Sequence, residues 1–245
     1  MSSGEGLWRG PGERPRIYGH RGVRGHDGIM ENTLPAFELA LDQGADGVEL
    51  DVRLCASGEV VVLHDPDLAR VAPAHATLVA AEATAEELAA AQVPTLDQTL
   101  ERVLAREGAR INVEAKSNVP DPAALVDALV ATLGRLGHGQ RGRIFLSSFS
   151  RTICRSLSAV LEDMPVLWLF GKPPELPVLQ DLPDAIGVHP KHTLIDRASI
   201  EAFREGGGVI NAWTVNDPEE ARRLASLGVD GLITDDVPAI SAAVT

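Results

Sequence analysis

Aromatic residues and cysteines are scarce in this 245-residue sequence. Aromatic residues make up only 4% of the chain, so aliphatic side chains must fill the core. The two cysteines, Cys55 and Cys154, are far apart and form no CxxC pair, which indicates neither a zinc motif nor a redox motif. We therefore expect reduced thiols.

The sequence also lacks basic clusters and long apolar runs, although its formal net charge is −13. Affinity for nucleic acids or anionic membranes depends on clustered lysine and arginine, so neither partner is expected. No apolar run approaches the roughly 18 residues of a membrane span. Residues 1–8 lack the basic start and apolar core of a signal peptide. These absences predict a cytoplasmic protein without a membrane span.

Apolar runs rich in β-branched residues alternate with Ala/Leu-rich amphipathic stretches, which predicts repeated βα units and a parallel sheet. Strands are predicted at 16–20, 47–53, 111–116, 143–148, 165–169, 185–188, 208–214 and 231–234. Helices are predicted at 33–43, 96–106, 122–136, 151–161, 196–204 and 218–227, with a short helical turn at 173–181. Most of the strands are too apolar for exposed sheet edges. The predicted fold class is therefore α/β, a closed (βα)8 TIM barrel.

Residues 54–94 interrupt this alternation between the second strand and the following helix. About five residues lead from the second strand to Val60-Val61-Val62-Leu63, too few for the crossover that parallel strands require, so a hairpin is predicted. A turn centred near 56–57 would place residue 49 level with 64 and residue 51 level with 62. This register would bring His64 beside Glu49.

The rest of this region, residues 66–94, carries no strand signal and is predicted to form a lobe over the barrel mouth. Residues 1–15 are rich in glycine and proline and are predicted to form a flexible N-terminal arm. The predicted organisation is this arm followed by a single TIM-barrel domain at 16–245, with an insertion at about 54–94.

Three acidic side chains are predicted to meet at the C-terminal end of the barrel, where active sites of this fold lie. Glu49 and Asp51 are two residues apart on the second strand and Glu114 is on the third, so all three project inward. Ionised carboxylates are costly to bury there without a partner. They predict a site for one divalent cation, Mg²⁺ or Ca²⁺. The alternative is an internal salt-bridge network with Arg21, Arg53 and Lys116.

Two histidines flank this acidic group, His20 at the end of the first strand and His64 after the hairpin. Imidazole titrates near neutral pH, so we interpret the pair as general acid and general base. Metal ligation and a structural role are the alternatives. Arg21 and Lys116 would supply positive charge to a phosphoryl group. Together these residues predict metal-assisted phosphoester chemistry.

Other polar residues near the strand ends are expected to have supporting roles. Glu31-Asn32-Thr33 is interpreted first as a helix cap and second as support for the turn at His20-Arg21. His189 is predicted to lie on the rim after the sixth strand. Trp213 either plugs the top of the barrel or contacts substrate.

In this order, the residues resemble those of the glycerophosphodiester phosphodiesterase family. The resemblance covers residues 16–238 and rests on Gly19-His20-Arg21-Gly22, Glu31-Asn32-Thr33, the segment 44–52 (GADGVELDV), Val62-Leu63-His64-Asp65, Val113-Glu114-Ala115-Lys116, Ser148-Phe149, Trp213-Thr214-Val215-Asn216 and the segment 228–235 (GVDGLITD).

This resemblance implies a phospholipase-C-like phosphodiesterase barrel that hydrolyses a small-molecule glycerophosphodiester to glycerol 3-phosphate and an alcohol, with a divalent metal. The implied reaction begins with attack by the glycerol 2-hydroxyl and passes through a cyclic phosphate. By position, Glu49, Asp51 and Glu114 match the metal ligands, His20 and His64 the acid–base pair, Arg21 and Lys116 the phosphate contacts, and Phe149 and Trp213 the substrate-facing aromatic residues.

Two other functions are considered. A phosphodiesterase similar to lysophospholipase D or sphingomyelinase D would share the fold but act on lipids, and would need an exposed apolar rim that this acidic sequence does not indicate. A non-catalytic phosphodiester-binding barrel would be expected to lack one of the histidines or acids, and none is missing.

Overall fold

The computed structural model describes residues 7–10, 12–25, 28–172, 187–205 and 208–245. Its strands are β1 (Arg16–His20), β2 (Gly47–Leu54), β3 (Val60–Val62), β4 (Arg110–Ala115), β5 (Ile144–Ser148), β6 (Val166–Phe170), β7 (Gly187–Pro190), β8 (Val209–Ala212) and β9 (Gly231–Thr234). Its helices are α1 (Leu34–Asp42), α2 (Ala85–Ala89), α3 (Leu96–Leu104), α4 (Pro122–Gly134), α5 (His138–Arg141), α6 (Arg151–Val160), α7 (Arg197–Glu205), α8 (Pro218–Leu227) and α9 (Val237–Val244).

Eight of these strands form a closed parallel barrel. The sheet order runs β1-β9-β8-β7-β6-β5-β4-β2, and β1 also pairs with β2, which closes the ring. The remaining strand, β3, pairs antiparallel with β2. The predicted TIM barrel with a hairpin after the second strand is therefore confirmed.

Alternation along β2 shows how the barrel separates its core from its site. Val48, Leu50 and Val52 belong to the main hydrophobic cluster, which includes side chains from the surrounding helices. Glu49 and Asp51 have the opposite parity and are also buried, on the inner side of the barrel. The acids thus lie inside a ring of strands that the helices cover from outside.

Apolar side chains from the first residues of the chain pack inside the barrel. Leu7 is fully buried in a cluster with side chains from five barrel strands, and its carbonyl oxygen accepts a hydrogen bond from the Tyr18 hydroxyl at 3.3 Å. The Trp8 ring lies 4.9 Å from that of Phe145. Of the arm predicted at 1–15, residues 1–6 and 11 lie outside the described residues, while Leu7 and Trp8 are packed against the barrel.

The predicted hairpin register is wrong by one residue. Val52 pairs with Val62, and Leu54 with Val60, so residue 51 does not lie level with 62. The loop has three residues, 56–58, because Cys55 still pairs with Glu59 through the Cys55 N–H, and Gly58 adopts a φ of +93°. A glycine at this last position allows a left-handed turn, which shifts the turn centre from 56–57 to Ser57.

The lobe formed by residues 66–94 has a small hydrophobic cluster of its own. Leu68, Leu88 and Val93 are buried there together with Val61 and Leu63 of the hairpin. Its short helix α2 is capped by Thr84, which forms a capping box with Glu87. The lobe is therefore attached to the barrel through the hairpin.

Three short helices, α2, α5 and α9, were not predicted from the sequence. The Asp236 side chain caps α9 by accepting a hydrogen bond from the Ala239 N–H. The helical turn predicted at 173–181, and residues 185–186 of the predicted sixth strand, lie outside the described residues. None of the helices in the described ranges has both the length and the apolar character that crossing a membrane requires.

Candidate active site

A cavity of about 230 Å³ contains most of the predicted site residues. Its lining comprises His20, Arg21, Arg24, Glu49, His64, Asn112, Glu114, Lys116, Phe149, Leu169, Trp213, Thr214 and Ile233. Of the nine predicted site residues, only Asp51 is missing from this lining. No residue of the lobe is among these lining residues, and its position over the barrel mouth stays a prediction.

The three predicted acids converge as expected. Each of Glu49, Asp51 and Glu114 offers an oxygen atom that lies within 4.8 Å of the other two, and all three side chains are buried. Burial, together with the neighbouring Asp51 charge, raises the pKa of Glu114 to about 7. The same two causes, with the charge of Glu114, raise the pKa of Glu49 well above its usual value.

Two basic side chains partly compensate these acids. Lys116 Nζ donates to Glu114 Oε1 at 2.7 Å and to Asp51 Oδ1 at 3.1 Å, and Arg21 Nε lies 3.1 Å from Asp51 Oδ2. Burial opposes ionisation of Asp51, but the charges of Lys116 and Arg21 outweigh it and hold the pKa of that carboxyl well below its usual range.

Three carboxylates facing two cations leave an excess of negative charge in this buried group. The raised pKa values of Glu49 and Glu114 reflect the same shortage of positive charge. A hard divalent cation prefers oxygen ligands and would supply the missing charge, so this donor set fits such an ion. The alternative salt-bridge network accounts for Lys116 and Arg21 but not for Arg53, whose guanidinium donates to the carbonyl oxygens of His64 and Asn118.

The turn after β1 is held by the segment 31–33. Arg21 has a φ of +58° and Asn32 a φ of +59°, both unusual for residues with side chains, and the Asn32 N–H donates to the Arg21 carbonyl oxygen at 2.9 Å. Asn32 Nδ2 also donates to Asp51 Oδ2 at 2.9 Å. Thr33 forms no side-chain cap, since its hydroxyl donates to the Met30 carbonyl oxygen. Thr33 is nevertheless the N-cap residue of α1, so the first interpretation is correct for its position but not for a side-chain hydrogen bond. The second interpretation, support for the turn at Arg21, is confirmed.

Each cavity histidine is bonded to an aspartate through Nδ1. His20 Nδ1 lies 2.7 Å from Asp235 Oδ1, and His64 Nδ1 lies 2.7 Å from Asp65 Oδ1. An ionised carboxylate can only accept a hydrogen bond, so each Nδ1 carries a proton and each Nε2 is left free for chemistry. Burial is the largest influence on the pKa of His64 and lowers it.

A network of arginines surrounds Glu31 at the edge of the site. Glu31 accepts hydrogen bonds from Arg21, Arg24 and Arg70. Burial raises the pKa of Glu31, but the hydrogen bonds from Arg70 and Arg21 outweigh burial and lower this pKa to about 2. Arg70 belongs to the lobe, and its Nε also donates to Asp65 Oδ2 at 2.6 Å. The lobe is thereby linked to both the His64 side and the Arg21 side of the cavity.

Aromatic side chains form one wall of the cavity. The rings of Phe149 and Trp213 meet edge to face with their centroids 5.4 Å apart. Trp213 Nε1 donates to the His189 carbonyl oxygen at 2.8 Å. The position predicted for His189 is wrong, because this residue is fully buried on β7 and its Nε2 accepts from Asn211. Side chains alternate along a strand, so His189 points to the inner side of the barrel, on the same face as Gly187.

Sequence reasoning missed the contributions of four other residues. Asp235 is given no role in the sequence analysis, and its partner His20 is 215 residues away, so no local signal connects the two. Arg24 and Arg70 are in loops without periodicity. Asn112 could have been found, because it precedes Glu114 by two residues and therefore shares its inward face.

Comparison with known proteins identifies relatives along nearly the whole chain. The model of the glycerophosphoryl diester phosphodiesterase family matches residues 20–239. A Bacillus altitudinis protein named glycerophosphodiester phosphodiesterase is 30% identical over 237 residues, covering 90% of this chain and 94% of its own. A protein of the same name from Caldanaerobacter subterraneus is 28% identical, with 90% and 93% covered.

Solved structures give the same result. A putative glycerophosphoryl diester phosphodiesterase from Silicibacter pomeroyi superposes with a TM-score of 0.84 at 25% identity, covering 100% of this chain and 97% of its own. A phosphodiesterase from Oleispira antarctica, in complex with its product sn-glycerol-3-phosphate, superposes with a TM-score of 0.80 at 25% identity, with 94% and 96% covered. The chain belongs to the glycerophosphoryl diester phosphodiesterase family of enzymes.

Proposed function

We propose that this protein hydrolyses glycerophosphodiesters to glycerol 3-phosphate and an alcohol. The observation that carries the proposal is a cavity lined by two histidines, each of which is oriented by an aspartate. Three buried carboxylates and the buried side chains of Arg21 and Lys116 lie next to them. The product complex of the Oleispira antarctica relative supports the choice of substrate.

In the proposed mechanism, His20 and His64 act as general base and general acid through Nε2. One imidazole accepts the proton of the glycerol 2-hydroxyl as this oxygen attacks phosphorus, and the other donates a proton to the departing alcohol oxygen. The resulting cyclic phosphate is then opened by water, with the two histidines exchanging roles. Both protons are returned over the cycle, so the catalyst is regenerated.

Charged side chains would hold the phosphoryl group during these steps. Lys116 and Arg21 line the cavity and offer positive charge to the phosphoryl oxygens. Glu49, Asp51 and Glu114 would hold one divalent cation, Mg²⁺ or Ca²⁺, which supplies further positive charge to the same oxygens when bound. Phe149 and Trp213 would pack against the carbon atoms of the substrate.

Release of glycerol 3-phosphate from glycerophosphocholine tests the proposal. Chelation should abolish release, and added Mg²⁺ or Ca²⁺ should restore it. His20→Ala and His64→Ala should each lower kcat by about 10²- to 10⁴-fold, the usual contribution of a general acid or base. His138→Ala is the matched control, since its side chain is 94% exposed. Full activity in either cavity variant would contradict the assignment.

A further inference from the structure

Asn112 occupies a position in the cavity that the proposed mechanism does not use. It lies on β4, pairs in register with Glu49 of β2, and precedes Glu114 by two residues. Its side chain lines the cavity, although only 1% of the residue is exposed. Asn112 is therefore a buried polar group in the lower part of the site, one inward-facing position below Glu114.

The hydrogen bonds of Asn112 are incomplete. Its Oδ1 accepts from the Ser147 hydroxyl at 3.1 Å, whereas no acceptor for its Nδ2 exists among the described residues. Because the amide oxygen is the atom bonded to Ser147, the amide nitrogen is the free group. Buried amide donors in folded proteins are nearly always bonded. A donor left free beside a cavity points to an oxygen atom of a bound molecule.

The chemistry of Asn112 suits a hydroxyl group better than the phosphoryl group. The phosphoryl oxygens carry charge and already have Lys116 and Arg21 as partners in the proposed mechanism. Asn112 is neutral, and its position is deeper than the carboxylates of Asp51 and Glu114, which pair in register one layer above. Of the two glycerol hydroxyls, the 2-hydroxyl is the attacking group and is engaged by a histidine. The terminal hydroxyl has no partner among the residues that the proposed mechanism uses.

We propose that Asn112 Nδ2 donates a hydrogen bond to the terminal hydroxyl of the glycerol moiety, which makes Asn112 a specificity-determining residue. The inference rests on the proposed function, because it assumes a glycerophosphodiester in the cavity. A diester without this hydroxyl leaves the buried donor unpaired and is a poorer substrate. Discrimination of about 10- to 100-fold in kcat/KM is expected for a site that hydrogen-bonds a substrate hydroxyl through one neutral donor.

The test compares two substrates in the same protein samples. One is glycerophosphocholine, and the other is the phosphocholine diester of propane-1,2-diol, which keeps the attacking hydroxyl and lacks the terminal one. The wild type is expected to prefer glycerophosphocholine by about 10- to 100-fold in kcat/KM. Asn112→Ala removes the donor, so its preference is expected to fall to within about 3-fold, mainly through lost activity on glycerophosphocholine.

A second variant and the substrate ratio separate the possible outcomes. Asn112→Leu keeps a side chain of similar size but has no donor, so it is also expected to lose the preference. Partial unfolding of a variant lowers both activities equally and cancels in the ratio. An undiminished preference in both variants, or a wild type without preference, would overturn the role of Asn112. A wild type inactive on both diesters would instead refute the proposed function.

Discussion

At the scale of single residues, both carboxylate oxygens of Asp235 help to orient His20. Oδ1 faces His20, and Oδ2 accepts from Asn216 Nδ2 at 2.7 Å. Asn216 Oδ1 also accepts from the Asp235 backbone N–H at 2.9 Å. Asn216 therefore fixes the rotation of the Asp235 carboxylate, which in turn fixes the tautomer of His20.

We expect Asp235→Asn to lower kcat by about 10²- to 10⁴-fold with little change in KM, as when the aspartate of a catalytic triad is replaced. Asn216 would continue to donate to the new side chain and keep its oxygen on that side, so the amide nitrogen would face His20. His20 would then carry its proton on Nε2, which is the wrong atom for a base. Steady-state kinetics on glycerophosphocholine measures the loss.

The control for this variant is Asp217→Asn. Asp217 caps α8 by accepting from the Glu219 N–H, and asparagine caps helices equally well. Unchanged kinetics in the control and a large kcat loss at Asp235 are expected together. Equal kcat values in both variants would show that Asp235 does not position His20.

At the scale of elements, Arg70 connects the lobe to the site. The guanidinium of this residue bonds both oxygens of Glu31 and one oxygen of Asp65, the aspartate that orients His64. Removing the guanidinium would leave the Asp65 carboxylate without this partner, and the lobe would lose its contact with Glu31. The contact is a positioning contact, since Arg70 does not line the cavity.

Arg70→Gln is expected to lower kcat about 10-fold through misplacement of His64, and to increase hydrogen exchange in residues 66–94. Arg135→Gln is a matched control, because Arg135 is similarly exposed and also pairs with a carboxylate, Asp97, away from the cavity. Should Arg70→Gln show wild-type kcat and wild-type exchange, the lobe does not support the site through this residue.

The N-terminal segment is a second element whose contribution can be measured. Leu7 is fully buried inside the barrel, so Leu7→Ala should lower the free energy of unfolding by about 2–5 kcal/mol. Val160→Ala, at an apolar residue that is 59% exposed, should change it little. Urea denaturation compares the two variants with the wild type, and equal midpoints would mean that the segment does not stabilise the barrel.

At the scale of the whole molecule, the features that could be predicted from the sequence are those that depend on local periodicity. The inward pair Glu49 and Asp51 is predicted because a strand alternates, and the barrel because βα units repeat. The register of the hairpin depends on one glycine conformation at Gly58, which periodicity does not report. The contacts of Leu7 and of Asp235 with the barrel join residues distant in sequence, so only the closed fold specifies them.

One buried group connects the barrel interior to the stability of the whole molecule. His189 is fully buried, and burial lowers its pKa to about 3. Its usual pKa in an unfolded chain is about 6.5. Between about pH 6.5 and pH 3, His189 is protonated in the unfolded state and neutral in the folded state. His189 therefore destabilises the folded protein as the pH falls from about 6.5 to about 3, by about 1.4 kcal/mol per pH unit.

We expect His189→Gln to flatten the pH dependence of unfolding by about this slope between pH 6.5 and 4, because glutamine does not titrate. Urea denaturation at several pH values measures it, and only the slope matters, so a constant loss of stability in the variant does not obscure the result. His138→Gln, at a side chain that is 94% exposed, should leave the slope unchanged. Parallel curves for wild type and His189→Gln would mean that His189 gains a proton in the folded barrel as readily as in the unfolded chain.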